Sequence, residues 1–172
     1  LKHAHFRKIA YNDELAAKLL DRYLEDLDPS RSFLLQSDID EFARYRTTLD
    51  DALQEADLEP AFDIFIRFQQ RRSQRLEKII ARLEAGIHDM DFAQQENVNT
   101  DRKDAAWARD QAELDQLWKK LLKLNTLNLL LADKSLEETR ELLLKRYRNQ
   151  LRMVQQINSE DVFQTYMNAL TS

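Results

Sequence analysis

The segment DRYLEDLDPSRSFLLQSDIDEF, residues 21–42, decides how this chain folds. In its first part, apolar side chains recur three and four residues apart, at Tyr23, Leu24 and Leu27. This spacing places them on one face of an α-helix, which repeats about every 3.6 residues. Pro29 then ends the helix, because proline lacks the N–H that a helix interior needs and disfavours helical dihedrals at the preceding residue. The segment therefore predicts a helix followed by a bend close to Asp28.

The second part of the segment predicts the start of another helix. Ser37 is followed three residues later by Asp40, a weaker form of the S-x-x-E capping box that begins many helices. We therefore expect a helix that begins at Ser37 and runs to about Glu55. The carboxylates before the bend do not predict a calcium loop: counted from Asp26, the glycine and glutamate positions hold Arg31 and Ser37.

The composition of the whole chain predicts an all-α fold. Its 172 residues include one Gly and two Pro, 43% are hydrophobic and 33% are charged, and residues that favour helices dominate. We expect one irregular multi-helix domain over residues 1–172, with about six to eight helices. The domain is expected to be a piece of a longer protein, because the chain does not start with methionine.

Capping signals and apolar periodicity place the helices. We expect them at about 13–27 with Asn12 or Asp13 as the cap, at 37–55, at 60–85, from an Asp110/Glu113 cap to about Asp133, from a Ser135/Glu138 capping box through Val154, and from a Ser159 cap onward. The predicted core residues are Leu15, Leu19, Leu20, Tyr23, Leu24, Leu27, Ile39, Phe42, Leu49, Leu53, Phe62, Phe65, Ile66, Leu76, Ile79, Ile80, Leu83, Leu114, Leu117, Trp118, Leu121, Leu122, Leu136, Leu143, Tyr147, Leu151, Val154, Val162, Phe163, Tyr166, Met167 and Leu170.

One long loop, near residues 87–110, interrupts this pattern. Gly86 is expected to end the preceding helix in a left-handed conformation, and the following residues are polar without a clear period. Structureless connections of this length are uncommon in compact domains, so the loop is expected to be pinned by packing or to form an interface. Met90, Phe92 and Trp107 are its predicted anchors.

Residue types exclude several kinds of chemistry. The chain has no Cys and three His, and His3 and His5 are two apart rather than the four apart that a two-His metal face on a helix needs. No apolar run approaches the roughly 20 residues that span a bilayer. The net charge of −5 argues against nucleic acid as a partner. We therefore expect no catalytic residue, cofactor, metal site or membrane span in this chain.

A basic stripe is the candidate binding feature. Arg71, Arg75, Lys78 and Arg82 follow one another at spacings of four, three and four, and so lie along one face of the predicted helix at 60–85. We interpret the stripe first as a solvated helix face, expected to lie away from Phe62 and Ile66. The alternative is a binding surface for an acidic protein partner.

Three segments carry a resemblance to a known family. They are LLDRYLEDLDPSRSFLLQSDIDEF at residues 19–42, WARDQAELDQLW at 107–118 and KRYRNQLRMVQQINSEDVFQTYMNAL at 145–170. Together and in this order, they resemble the N-terminal helical region of the tail-specific proteases, also called carboxyl-terminal processing proteases. The resemblance spans nearly the whole chain.

This resemblance implies a role inside a larger periplasmic serine protease that recognises apolar carboxyl-terminal tails and degrades or trims proteins. In that family the catalytic Ser and Lys and the PDZ domain lie beyond the matched region, so no catalytic residue is carried over to this chain. The helical region is expected to scaffold the protease, to enclose substrates and, in some members, to dock a helical-repeat lipoprotein adaptor. The alternative is a stand-alone helical adaptor or oligomerisation module.

Overall fold

A computed structural model of the chain describes residues 13–49, 52, 55 and 57–171. Within that part, the fold is all-α, as predicted. Its elements are α1 (Asp13–Leu27), α2 (Gln36–Phe42), a 3₁₀-helix (Ala43–Thr47), α3 (Glu59–Glu84), α4 (Gln111–Leu131), α5 (Leu136–Gln156) and α6 (Ser159–Thr171). None of the described helices combines the length and the apolarity that crossing a membrane would need. The predicted cap at Asn12 and the core position Leu53 lie outside the described residues.

The bend after α1 is built around the buried carboxylate of Asp28. Its Oδ1 accepts a hydrogen bond from the backbone N–H of Ser32 at 3.0 Å, and its Oδ2 accepts from the N–H groups of Phe33 at 2.9 Å and Leu34 at 3.0 Å. Arg31 has a φ of +47°, so the chain reverses direction there in a left-handed conformation. The predicted bend is confirmed, and Asp28 holds it closed.

The start of α2 differs from the prediction. Leu35 is the N-cap residue and Ser37 lies inside the helix. The backbone N–H of Leu35 donates to Asp38 Oδ2 at 2.9 Å, so the acidic residue at the third helical position does the capping. The helix also does not continue to Glu55, because α2 changes at Ala43 into the 3₁₀-helix.

The long helix α3 joins two hydrophobic cores. Its N-terminal half packs with α1 and α6 in core 1, and its C-terminal half packs with α4 and α5 in core 2. Core 1 comprises Ala16, Leu19, Leu20, Tyr23, Leu24, Leu27, Leu34, Phe42, Leu49, Ala61, Ile64, Phe65, Phe68, Val162, Tyr166 and Ala169. Core 2 comprises Leu76, Ile79, Leu83, Ile87, Leu122, Leu143, Leu144, Tyr147 and Val154.

Two predicted core positions are wrong. Ile66 is 49% exposed and Phe163 is 45% exposed. On α3, the buried positions are instead Ile64 and Phe68, which the sequence pattern did not single out. Pro60 lies in the first turn of α3, as predicted.

Side-chain caps set the starts of the last three helices. Asp110 caps α4 by accepting from Glu113 N–H at 2.9 Å, and Ser135 and Glu138 form the predicted capping box of α5. The cap of α6 differs from the prediction, since Asn158 Oδ1, rather than Ser159, accepts from the backbone N–H groups at the helix start.

Residues 85–110 form the predicted long loop, and side chains and backbone pin it to the bend. Leu35 and Ala108 form an isolated parallel bridge, with Gln36 N–H donating to the Ala108 carbonyl at 2.8 Å. Arg31 donates to the Ala105 carbonyl at 2.5 Å, and its guanidinium lies 5.1 Å from the ring centre of Trp107. The loop therefore belongs to the packed domain.

The anchors of this loop are partly as predicted. Met90 packs against core 2 and Trp107 against core 1, which confirms two of the three residues. Phe92 is half-buried, outside these clusters. Gly86 has a φ of +111°, in the region that side-chain-bearing residues avoid, which confirms its role at the end of α3.

Replacing Asp28 tests the role of its carboxylate in the bend. An Asp28→Asn variant keeps one acceptor oxygen and turns an NH₂ group toward buried N–H donors, so we expect it to lower the free energy of unfolding by about 2 kcal/mol. Urea denaturation monitored by circular dichroism measures this change. Asp26→Asn, two residues earlier on the exposed side of α1, is the matched control and is expected to change stability by less than about 0.5 kcal/mol. Equal stabilities of the two variants would contradict the proposed role.

Candidate functional site

The basic stripe on α3 begins at Arg71, which is bound to Asp38 of α2. Arg71 Nε and Nη2 donate to the two carboxylate oxygens at 2.9 Å each, a bidentate pair. Arg67 Nη1 donates to Asp38 Oδ1 at 2.8 Å and also pairs with Glu41. Asp38 is fully buried, and its Oδ2 also receives the N–H of Leu35. One carboxylate thus caps α2 and fixes it to α3.

These contacts decide the protonation state of Asp38. Burial favours the neutral carboxyl group and pushes the pKa upward, but the hydrogen bonds from Arg71, Leu35 N–H and Arg67 outweigh burial and hold the pKa of Asp38 below its ordinary value. A carboxylate with a lowered pKa is a weak proton acceptor, so Asp38 suits a structural ion pair better than acid–base catalysis.

Arg75 is not part of a solvated face, contrary to the first interpretation of the stripe. It is only 5% exposed, and its Nη1 donates to Asp115 Oδ1 of α4 at 2.5 Å. Nη2 donates to Gln111 Oε1 at 3.3 Å, and Lys78 Nζ reaches the same Asp115 oxygen at 3.5 Å. The stripe therefore ties α3 to α4 as well as to α2.

The spacing of α3 explains this burial. Up to Phe68 and again from Leu76, successive buried apolar positions on this helix are one, three or four residues apart. The same spacing, counted onward from Phe68, gives residue 72 and then residue 75, which is directly followed by the buried Leu76. Arg72 lies with its guanidinium 5.8 Å from the ring centre of Phe33, and burial lowers its pKa. The arginines thus occupy the buried face where core 1 gives way to core 2. Extending the apolar register through the basic stretch could have shown this from sequence.

Arg82 closes the C-terminal end of the stripe. Its Nη2 donates to Asp89 Oδ1 at 2.6 Å, and its Nη1 donates to the carbonyl of Gly86. This arrangement fixes the start of the long loop to the last turn of α3. The hydrogen bond from Arg82 holds the pKa of Asp89 below its ordinary value.

An open groove of about 690 Å³ lies beside the stripe, between α3, the loop and α4. Its lining is apolar at Ile79, Met90, Trp118 and Leu122. Charged residues of both signs surround this lining, and most of them are paired, as in the contact of Lys123 Nζ with Glu96 at 2.6 Å. An apolar lining with a polar rim is typical of a surface that binds another macromolecule.

Three of the four predicted residues, Arg75, Lys78 and Arg82, line this groove, whereas Arg71 lies outside it and binds Asp38 of α2. Lys78 has the most exposed side chain of the four at 56%, and Arg75 is the most enclosed. Their acidic partners Asp38, Asp89 and Asp115 were not singled out from the sequence. Across the described ranges, no group of three or more acidic, His or Cys side chains forms a metal site. Binding of a partner at the stripe stays a prediction.

Comparison with known proteins agrees with this resemblance. The family model described as the tail-specific protease N-terminal domain matches residues 1–172. A curated relative, the tail-specific protease of Haemophilus influenzae, is 36% identical over 170 residues. That match covers 98% of this chain but only 24% of the relative, so the chain spans about a quarter of the relative's length.

The pH dependence of stability tests the Asp38 ion pairs. The pKa of Asp38 is lowered on folding, so its stabilising contribution is present at neutral pH and is lost as the pH falls below about 4. We expect Asp38→Asn to cost about 2 kcal/mol near pH 7, and the difference from the unmodified protein to shrink in acid. Urea denaturation at a series of pH values measures this. Asp40→Asn, an exposed neighbour on α2, is the control and should show no such trend; a constant cost for Asp38→Asn would contradict the assignment.

Proposed function

Because the chain belongs to the tail-specific protease N-terminal domain family, we propose that it is a non-catalytic helical domain of a periplasmic serine protease. The parent protein degrades or trims proteins from apolar carboxyl termini. Its PDZ domain and its catalytic Ser and Lys lie outside residues 1–172. The observation that carries this proposal is the family match over the whole chain.

The extent of the relative supports a division of labour within one protein. The matched region is 24% of the Haemophilus influenzae protease, which leaves most of that protein for other domains. In this chain, the most enclosed ionised carboxylate of the stripe region, that of Asp38, is held by two arginines. Such groups fix helices relative to one another, which is the task of a scaffold that encloses substrates beside a catalytic domain.

The exposed side of the stripe is the surface we propose for docking a helical-repeat lipoprotein adaptor with an acidic face. Lys78 projects at the edge of the apolar groove, and Asp115 is already satisfied by Arg75 at 2.5 Å. Lys78 can therefore turn to a partner carboxylate without leaving Asp115 unpaired. Arg75 cannot turn to a partner carboxylate in this way, because it is buried.

A stand-alone helical adaptor or oligomerisation module is the second candidate. The observation that favours it is a set of exposed large apolar side chains, Ile66, Leu131, Met153 and Phe163 among them. Exposed apolar surface favours association with another protein. Sedimentation of the purified chain tests the oligomerisation module, which forms a concentration-dependent assembly, whereas a scaffold domain stays monomeric.

The proposed division of labour predicts the outcome of a protease assay. The purified chain is expected to leave an unfolded protein with an apolar tail intact, whereas the whole parent protein is expected to hydrolyse it. Gel electrophoresis of timed samples measures both reactions. The parent protein without residues 1–172 is the third arm and is expected to cleave less selectively or more slowly, because the enclosure is gone. Protease activity that stays with the isolated chain throughout purification would disprove the non-catalytic role.

Charge reversal distinguishes the docking role of the stripe from its structural role. We expect Lys78→Glu to weaken adaptor binding about fivefold at low salt with little change in melting temperature, because an exposed rim charge acts mainly on association. Arg75→Glu is expected to cost about 3 kcal/mol of stability, since it places a second carboxylate beside Asp115 in a buried position. Isothermal titration and thermal melts measure these effects.

Lys145→Glu is the control for the docking experiment. Lys145 is exposed on α5 and makes the same change in net charge. Its variant should bind the adaptor with unchanged affinity. Equal affinity of the Lys78→Glu variant and the unmodified chain at low salt would rule out docking at the stripe.

A further inference from the structure

A second cavity, of about 320 Å³, lies where the bend after α1 meets the long loop, α4 and α5. Its polar wall includes Ser30 and Ser32 of the bend, Thr100 and Arg102 of the loop, and Arg146 and Tyr147 of α5. Trp118 and Leu121 of α4 add apolar surface. This volume is at the lower end of the range for pockets that hold small ligands, about 300–1,000 Å³.

The charge of this cavity is unlike that of the rest of the protein. The chain has 31 acidic and 26 basic residues, and the groove beside α3 is lined by carboxylates as well as by cations. Among the described residues that line the smaller cavity, two are arginines and none is acidic. An excess of positive charge in a concave site attracts anions, because the low-dielectric walls concentrate the field.

The arginines leave N–H groups free for a ligand. Arg102 donates from Nε to the Ser30 carbonyl at 3.1 Å and from Nη2 to the Arg31 carbonyl at 3.3 Å, which leaves its Nη1 group. These two bonds also hold its guanidinium in place. Arg146 has no hydrogen bond or ion pair to any described residue, so all five of its N–H groups are free.

The hydroxyl groups add donors on the same wall. Tyr147 is buried, and its hydroxyl oxygen accepts from Asn125 Nδ2 at 3.1 Å, which leaves the hydroxyl hydrogen free to donate. Burial raises the pKa of Tyr147, so this hydrogen stays on the oxygen. Ser30 and Ser32 share one hydrogen bond at 2.7 Å, which uses one of their two hydroxyl hydrogens.

Hydrogen bonds hold the backbone of the bend behind these donors in place. Ser32 is buried, its N–H is bound by Asp28, and its carbonyl accepts from the indole Nε1 of Trp118 at 2.6 Å. Asp28 is the carboxylate behind the wall, and its two oxygens are taken by three backbone N–H groups. The carboxylate oxygens of Asp28 are therefore used by the bend, and its charge acts on Arg102 through space without a hydrogen bond between the two side chains.

We propose that this cavity is an anion-binding site for a small molecule that carries a phosphate, sulfate or carboxylate group. Guanidinium groups and hydroxyls bind such oxyanions by charge-assisted hydrogen bonds, and Arg102, Arg146 and Tyr147 supply donors in the lining of the cavity. Trp118 and Leu121 supply an apolar part of the lining, so the ligand carries a compact apolar group in addition to the oxyanion.

Titration with simple anions tests this site. The probes are inorganic phosphate, sulfate, acetate and phenyl phosphate, each compared with chloride at equal ionic strength. The ¹H–¹⁵N signal of the Trp118 indole, assigned with a Trp107→Phe variant, reports binding because this side chain lines the cavity. We expect a saturable shift with at least one oxyanion, and tighter binding of phenyl phosphate than of inorganic phosphate. Shifts that match those of chloride for every probe up to about 50 mM would overturn the proposal.

Two variants and one matched control locate the binding. Arg146→Gln removes an unpartnered charge and is expected to weaken anion binding about tenfold, the effect of losing one charge-assisted contact. Tyr147→Phe keeps the buried ring and is expected to weaken binding about threefold to fivefold. Arg152→Gln makes the same charge change on the same helix, where Arg152 is exposed and does not line the cavity, and should leave affinity unchanged. Equal losses in the Arg146→Gln and Arg152→Gln variants would show general charge attraction and would overturn the site.

Discussion

The buried carboxylate of Asp28 is the contact on which the rest of the arrangement depends. By accepting three backbone N–H groups, it closes the bend that follows α1 and fixes the direction of residues 30–35. That short segment then contacts three separate parts of the fold: Leu34 enters core 1, the Phe33 ring packs 5.3 Å from Trp118 of α4, and Leu35 bridges to the long loop at Ala108. A buried carboxylate is costly to desolvate: burial raises the pKa of Asp28, and the backbone donors offset part of that cost. The bend thus serves as the junction of both cores and the loop.

The arginines of α3 perform the same task for the helices. Arg71 binds α2, Arg75 binds α4 and Arg82 binds the loop, each through a carboxylate or carbonyl of the element that it holds. Buried ion pairs give little net stability relative to apolar contacts, but they define how the helices are placed. An arrangement that left one of these buried charges without its partner would be strongly destabilised. Placing Arg71 and Arg75 between core 1 and core 2 allows one 26-residue helix to carry two cores at fixed relative positions. A pattern that looks like a solvated stripe on a single helix is therefore a set of connections between helices.

Local signals predicted most of the fold, and contacts distant in sequence account for the errors. The Ser135/Glu138 box, the Asp110 cap, Gly86 and Pro60 depend on neighbouring residues, and the structure confirms each of them. The start of α2 could not be read in this way, because Asp38 both caps the helix and binds Arg67 and Arg71 some thirty residues later. Asn158 and Ser159 are both good caps, and only the geometry of the backbone decides between them. For the site, the four basic positions were predictable, whereas their partners Asp115 and Asp89 and the burial of Arg75 required the packing of α4 and the loop.

The two concave surfaces differ in chemistry for a reason that follows from this architecture. The groove beside α3 is lined by carboxylates that the stripe needs as partners, so most of its charges are neutralised and its apolar lining is the surface left for a large partner. The smaller cavity lies at the bend, where Arg102 is held by carbonyl oxygens and no acidic residue of the described chain is required to pair with it. Backbone carbonyl oxygens accept hydrogen bonds from the Arg102 guanidinium but carry only partial charges. The guanidinium therefore keeps most of its positive charge and remains available to an anion. The same bend that organises the fold therefore brings two arginines, and no acidic residue among the described ones, into the lining of the smaller cavity.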